Sequence, residues 1–564
     1  MIGSLPPVAI FVVGALLVAV TGGRVRSVIL LAIPVVGAIN LATLAYGTTS
    51  EIVLFGYALT PLRVDRLSFL FGLLFHLAAF IGFVYSLTVK DRIQLVASVL
   101  YAGAAVGAVF AGDLITLVVF WELLAVTSVF LILARRTERS YRAAMRYLVI
   151  QLTAGVMLLA GVIIHVGETG SLAFGYIGLG SLSSALIFLA FGVKCGFPLL
   201  HNWLTDAYPE ATPTGTVLLS AFTTKVAVYS LARAFPGTEM LIYIGAAMTM
   251  FPIFFAVIEN DLRRVLAYSM INQLGFMVCG IGLGTELAIN GAVSHAFNDV
   301  IFKGLLFMSM GAVLFRTGKI NGSELGGLYK SMPWTAGFCI VGAASISAFP
   351  LFSGFVSKSM VMVAAIEQGH PVVWLMLLFA SAGVFHHAGI KIPFFAFFAH
   401  DSGIRTKEAP LSMLIAMGLA AAVCIFNGVY PWLLYSLLPF PVDYAPYTAA
   451  HVLAQCQLLF FSALAFTWLK ISGLYPPELP SVNIDAEWLY RKATPALVGR
   501  TADFVAALHR RTLQQAERAI ARFLATIYRH HGPAGVLARA WPTGSMAFWA
   551  TLLLAAYLFM YYIL

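Results

Sequence analysis

Charge is scarce in this chain. Only 10% of its 564 residues are Asp, Glu, Lys or Arg, against about 25% in a soluble domain. With 60% hydrophobic residues and a mean hydropathy of +0.91, no water-soluble core would hold it, so the bilayer is its solvent. The apolar runs are about 20 residues long and continuous rather than alternating, which excludes a β-barrel and leaves helices. Cysteine is scarce too. Cys195, Cys279, Cys339, Cys424 and Cys456 show no CxxC spacing and sit in apolar stretches, so they read as small hydrophobes. That spacing excludes a disulfide framework, an iron–sulfur run and a c-type haem. No Walker sequence and no glycine-rich nucleotide loop is present, and no tight His/Cys/carboxylate cluster offers metal ligands. The expectation is no cofactor and no metal, so the energy comes from an ion gradient or from partner subunits.

The chain predicts about sixteen transmembrane helices, centred near residues 15, 37, 77, 102, 124, 155, 190, 225, 249, 275, 302, 350, 384, 421, 460 and 554. Residues 7–22 are read as the first span rather than a signal peptide, because Arg24 and Arg26 follow the apolar run. Lys and Arg gather in alternate loops: Arg24 and Arg26; Lys90 and Arg92; Arg135, Arg136, Arg139, Arg142 and Arg146; Arg263 and Arg264; Arg316, Lys319 and Lys330; Arg405 and Lys407. The other loops carry Glu51, Glu168, Glu239, Glu286, Glu367 and Asp443. The positive-inside rule then makes the basic set cytoplasmic, with both termini outside a bacterial inner membrane.

Six parts are expected: N-terminal helices 1–90, a first repeat 91–236, a second repeat 237–400, further helices 401–475, a basic segment 476–543 and a last helix 544–564. The basic segment opens on Pro476, Pro477 and Pro480. From Asp485 to Arg539 it has nine Lys or Arg against four Asp or Glu. Phe504, Leu508, Ala516, Ile520, Phe523 and Ile527 share one helical face opposite Arg510, Arg518, Arg522 and Arg529. That pattern predicts an amphipathic helix on the cytoplasmic surface, resting on anionic lipid or docked on a partner or on the chain's own bundle. Nucleic acid is not expected as a partner of a helix tethered between two spans.

Two stretches echo each other. Arg142-Ala-Ala-Met-Arg-Tyr147 resembles Arg263-Arg-Val-Leu-Ala-Tyr268, and Phe197-Pro198-Leu199 recurs as Phe349-Pro350-Leu351. Proline breaks or kinks a helix, and paired interrupted helices in repeated halves point to a transport site.

Against this apolar background stand Glu122, Lys194, Lys225, Lys303, Lys358 and Lys391. A charge at membrane depth costs from about 2.5 to over 10 kcal/mol, so such residues mark ion or proton pathways. Glu122 and Lys194 are read as a pair whose changing separation takes up and releases a proton. Lys225 extends the series toward the middle. His295, Asp299 and Lys303 are four residues apart and share one helical face. A static buried ion pair is the alternative for Glu122–Lys194 and for Lys225. Lys358 follows Pro350 and has snorkelling at a helix end as its alternative; for Lys391, snorkelling is the expectation. His386 and His387 join a path or cap it, and His165 and His201 rank below them.

The motifs that carry a family resemblance begin with Trp121-Glu122, Gly192-Val-Lys194, Phe197-Pro198-Leu199-Leu200-His201-Asn-Trp203-Leu204, Pro213-Thr214 and Thr224-Lys225-Val226-Ala-Val-Tyr229. They continue with Asp261-Leu-Arg263-Arg264, Tyr268-Ser269, Gln273-Leu-Gly275, His295-Ala-Phe297, Lys303-Gly-Leu-Leu-Phe307 and Ser353-Gly354-Phe355-Val-Ser357-Lys358. From about residue 60 to 400 the chain resembles the antiporter-like membrane subunits of Mrp-type cation/proton antiporters and respiratory complex I, most of all the D-type Mrp protein. The resemblance implies two inverted five-helix repeats, each with a broken helix, and a polar axis through Glu122, Lys194, Lys225, His295, Lys303 and Lys358. Asp299 departs from the family, which often has a second histidine there, and Ser220 stands where complex I forms often have one. The region from Asp485-Ala-Glu-Trp488-Leu-Tyr490 is similar to the lateral arm of the distal complex I subunit. The implied function is a proton-translocating subunit exchanging H+ for Na+ or K+ beside other membrane subunits. The alternative is the pumping arm of a quinone- or hydrogen-linked redox complex, an NAD(P)H:quinone oxidoreductase-type translocase.

Overall fold

Long apolar runs leave backbone N–H and C=O groups no partner but each other, and helices result. The computed structural model describes residues 5–54, 56–479, 483–539 and 542–563; Pro480, part of the proline-rich opening noted above, lies outside them. Thirteen helices among the described residues are long and apolar enough to cross a membrane, joined by three shorter apolar helices, Pro7–Val20, Leu182–Cys195 and Pro333–Ile346. A hairpin of Thr49–Leu54 and Tyr57–Arg63, pairing Thr49 with Arg63, closes the connection before Arg66–Tyr85.

Helix starts are fixed by short oxygen-bearing side chains. Asp91, Asp113, Asp261 and Thr285 accept from the free N–H groups of the first turns. Gly170, Gly196, Gly284 and Gly318 end helices in the left-handed conformation that a Cβ disfavours.

These landmarks recur in order. Asp113 caps Leu114–Leu133, a 32-residue helix Glu138–Thr169 follows, Gly170 ends it, and Asp113 bridges to Ala173. At a constant sequence offset, Asp261 caps Leu262–Leu283, a second 32-residue helix Glu286–Thr317 follows, Gly318 ends it, and Asp261 bridges to Asn321. An interrupted helix comes next in both series. Leu182–Cys195 stops before Pro198 and resumes at Asn202–Ala207; Pro333–Ile346 stops before Pro350 and resumes at Ser353–Glu367. Three of the four non-glycine residues with positive φ among the described residues lie in these breaks: Leu199 (69°), Ala348 (58°) and Leu351 (72°). The Phe-Pro-Leu echo therefore falls on equivalent elements. The Arg142/Arg263 echo does not. Arg142 lies near the start of the 32-residue helix of the first series and Arg263 near the start of the preceding helix of the second, so that likeness reflects two basic helix starts and not the recurrence of landmarks.

Connections meet at two ends of the bundle. At one end Arg136 pairs with Asp91 (2.8 Å), Arg139 with Glu210 (2.7 Å) and Arg146 with Asp206 (2.7 Å), while Arg263 donates to the Pro209 carbonyl (3.0 Å). At the other, Asp113 accepts from the Thr60 N–H (2.7 Å) and Gln368 donates to Thr285 (3.0 Å). Arg233 also sits at this second end, neutralised by Asp65 at 2.8 Å.

The chain divides into two compact units after Asn483. The second contains a 38-residue helix, Thr494–His531, and the terminal helix Thr543–Ile563. The amphipathic stretch is thus one long helix, and Phe504, Leu508, Ile520 and Phe523 are exposed on it.

Glu239–Ile258 and Leu262–Leu283 cross closely at their glycines. A Cβ on Gly275 would lie 2.6 Å from the Gly245 carbonyl and 2.6 Å from the Thr249 nitrogen, both backbone atoms that cannot swing aside. Gly275→Val is expected to cost about 1–3 kcal/mol or more through overpacking. The check is thermal denaturation in mild detergent; an unchanged midpoint would show that the crossing tolerates separation.

Candidate functional site

The breaks and caps above hold a row of ionisable side chains inside the bundle. Lys194 ends the first interrupted helix and is fully buried. Its Nζ donates to the Trp121 carbonyl at 2.5 Å and lies 4.5 Å from the centre of the Trp121 ring. Glu122, the next residue, is half-buried and lies against Gly155 of the neighbouring helix, where any Cβ would strike its Oε1. No Glu122–Lys194 ion pair is closed among the described residues. The two groups expected as a switching pair are neighbours in an open arrangement, with the amine parked on a carbonyl.

Lys225 follows an irregular joint at Phe222 between Pro213–Ala221 and Thr223–Ala234. Its Nζ contacts Asp299 Oδ2 at 2.7 Å, both side chains being 0% exposed, and donates to the Ser220 carbonyl at 3.3 Å. This pair joins the first series of helices to the second.

His295, Asp299 and Lys303 do share a face of Glu286–Thr317. His295 Nδ1 lies 3.1 Å from the Ser357 hydroxyl and Nε2 3.2 Å from Gln273 Oε1. Lys303 Nζ donates to the Ser269 hydroxyl at 2.8 Å. Lys358 is only 2% exposed, so it does not snorkel. Its Nζ donates at 3.0 Å to the Ile346 carbonyl, freed where the second interrupted helix ends, and lies 5.0 Å from the Phe276 ring centre. The snorkelling expected of Lys391 is also overturned. That side chain is 0% exposed and donates to the carbonyls of Val257 (2.7 Å) and Glu259 (2.6 Å), at the end of Glu239–Ile258, while pairing with Glu478 (3.0 Å). A helix C-terminus buried in the bundle holds it better than the interface would.

Sequence reasoning did not assign roles to Ser269, Gln273, Ser357 or Gly155. Each of the three polar residues holds one ionisable group of the row, Ser269 at Lys303 and Gln273 and Ser357 at His295, and their signal was weak: each is an uncharged polar residue in an apolar stretch. Gln273, Ser269 and Ser357 stand inside family motifs, which was the available clue.

A helical membrane bundle with two interrupted spans and a buried row of amines, carboxylates and an imidazole has the make-up of an ion- or proton-translocating subunit. The family described as NADH:quinone oxidoreductase/Mrp antiporter, TM, matches residues 111–427, more than half of the chain, and the chain belongs to it. It is 27% identical over 510 residues to hydrogenase-4 component B of Escherichia coli, covering 80% of this chain and 74% of that protein. It is 33% identical over 308 residues to the D-type Na(+)/H(+) antiporter protein of Alkalihalophilus pseudofirmus, covering 50% of this chain and 62% of that one. Among solved structures, a chain of the archaeal membrane-bound sulfane sulfur reductase superposes with TM-score 0.71 at 22% identity, over 98% of this chain and 99% of that one. A chain of the Mrp complex of Dietzia sp. DQ12-45-1b does so with TM-score 0.66 at 20% identity, over 82% and 95%.

The Lys225–Asp299 pair makes a direct prediction. Removing one partner strands the other as a buried charge, so Asp299→Ala or Lys225→Met alone is expected to cost about 3–5 kcal/mol, and the double variant much less. Thermal denaturation of all three in detergent checks it; a double variant as unstable as the sum of the single ones would dissolve the pair.

Proposed function

We propose that this chain is the proton-translocating membrane subunit of a multisubunit Mrp-type antiporter that exchanges protons for Na+ or K+. The observation that carries the reading is the buried row running from Lys194 through Lys225–Asp299 to Lys303, His295 and Lys358. Each member has a polar neighbour within hydrogen-bonding distance or a charge in range, so a proton entering at one end changes the charge balance of the next. Glu122 receives the Lys194 ammonium when that amine leaves the Trp121 carbonyl; Lys225 passes the change across the Asp299 pair. His295, Asp299, Lys303 and Lys358 complete the second half.

Residues 91–236 and 237–400 act as the two repeats. With five crossings each, an odd number, the second enters the membrane inverted relative to the first. About sixteen crossings in all, with basic loops in the cytoplasm, put both termini outside a bacterial inner membrane. The partners are other membrane subunits, H+, Na+ or K+, and lipid.

A second reading has its own support. The sulfane sulfur reductase chain matches 98% of this chain, which takes in the long helix Thr494–His531, whereas the D-type antiporter relative covers 50%. The second reading is a redox-driven complex in which the same row pumps protons. Purifying the tagged chain from its own membranes separates the two: small hydrophobic subunits alone support the antiporter, and co-purifying flavin and iron–sulfur proteins support the redox complex.

Lys194→Ala and Glu122→Ala are expected to abolish coupled transport in membrane vesicles while leaving the assembled complex intact on native gels. Wild-type flux in both would sink the proposed pair.

A further inference from the structure

The row of ionisable groups needs a way out to water, and one cluster off that row is built for it. The span that begins at Pro371 winds into a π-helix over Phe385–Ile390 and again over Phe394–Phe398. Such local widening marks functional positions. The first π-helical stretch packs against the end of Pro333–Ile346, against Glu239–Ile258 and against Leu262–Leu283. It carries His386 and His387.

His387 is fully buried and lies within electrostatic range of Lys303. It approaches the Gly383 carbonyl one turn back, yet neither ring nitrogen closes a hydrogen bond of ordinary geometry. An imidazole with both nitrogens idle inside a bundle is costly unless something else uses them. His386 stacks on Tyr475 with ring centres 5.5 Å apart. One turn further, Lys391 reaches Glu478 at 3.0 Å, and the Glu478 side chain is 6% exposed between exposed Pro477 and Leu479. Glu259 stands beside them, its Oε1 accepting from the Asn260 N–H (3.0 Å) and its Oε2 from Asn483 (3.2 Å), with Arg264 at 3.9 Å. Lys470 completes the surroundings, 5.3 Å from the Tyr475 ring centre. All of this lies at the end of the bundle where the basic loops meet.

Burial raises the Glu478 carboxyl above the ordinary carboxylate range, opposed by Lys391 and Lys470. Lys391, held by backbone carbonyls and a carboxylate, acts as a positioning residue.

We propose that His387 and Glu478 form the proton exit from Lys303 to the basic end of the bundle, an inference that rests on the proton-translocating reading above. The Lys303 ammonium gives its proton, through water, to one nitrogen of the His387 imidazole. The opposite nitrogen releases its own proton toward the Glu478 carboxylate, which becomes the acid. Glu478 then gives that proton to water at the surface and returns to carboxylate. Lys391 keeps the carboxylate in place and favours its release of the proton.

The test uses the whole complex in proteoliposomes, with proton flux followed by a pH-sensitive dye and Lys194→Ala as reference. His387→Gln and Glu478→Gln are each expected to lower flux on the order of a hundredfold, the low end of what a positioned proton-transfer group contributes, and Glu478→Asp to restore part of it. Lys391→Met removes the positive partner that lowers the Glu478 pKa, so the acid limb of the flux profile moves to higher pH. Wild-type flux in both glutamine variants, with Lys194→Ala inactive, overturns the exit and leaves the translocating function standing. Wild-type flux in Lys194→Ala overturns that function and the exit with it. A labelling measurement covers variants that fail to assemble. In a Cys456→Ser background, His387→Cys is expected to react with a membrane-impermeant thiol reagent from the basic-loop side; no reaction from that side overturns the exit.

Discussion

A buried charge must be met by another, and here the contact that meets this demand also joins the molecule. Lys225 belongs to the first series of helices and Asp299 to the second, and they touch at 2.7 Å with no solvent access. In a low-dielectric interior neither ion is tolerated alone. The two halves are therefore held in register by electrostatics at their centre as well as by apolar packing around it. Asn298, next to Asp299, ties the second series to itself and to the later helix Leu411–Val429: it donates to the Ser353 carbonyl (2.9 Å) and accepts from Asn427 (2.9 Å).

The interrupted helices do related work. Ending a helix inside a bundle frees carbonyls that water cannot reach. Lys358 takes up one of them at Ile346, and Lys391 those at the end of Glu239–Ile258. Each amine thus finds backbone carbonyls to donate to, and each helix end finds a donor for its freed carbonyls. Proline by itself does not bring this about. Pro34 and Pro252 lie inside continuous helices, whereas Pro198 and Pro350 lie where the backbone also turns through positive φ at Leu199, Ala348 and Leu351. The break is a property of the whole turn, not of one ring.

Much of the site is legible because charged residues stand out against an apolar chain. Glu122, Lys194, Lys225, Lys303 and Lys358 are visible that way, and the four-residue spacing of His295, Asp299 and Lys303 places them on one face. What is not legible is the partner of each. Spacing alone makes Asp299 a step beside Lys303, but the contact it makes is with Lys225, which lies far away in sequence. Lys391 stands near a span end, which suggests snorkelling. In three dimensions that end is covered by the turn after Ile258 and by Glu478. The recurring landmarks show the same contrast: the Arg142/Arg263 likeness is visible by eye and out of register, while the recurrence at constant offset lies in caps, helix lengths and glycine stops.

The sequence by itself determined the solvent, the helical class and the set of groups that carry charge into the membrane. Those follow from composition and from periodicity along single helices, which are local properties. The tertiary structure alone decided which charge meets which: the open Glu122–Lys194 arrangement, the Lys225–Asp299 bridge, and the serine and glutamine links to His295 and Lys303. These depend on the crossing of helices distant in sequence, and hydrogen bonds and ion pairs act only over a few ångströms, a distance that no spacing along the chain encodes.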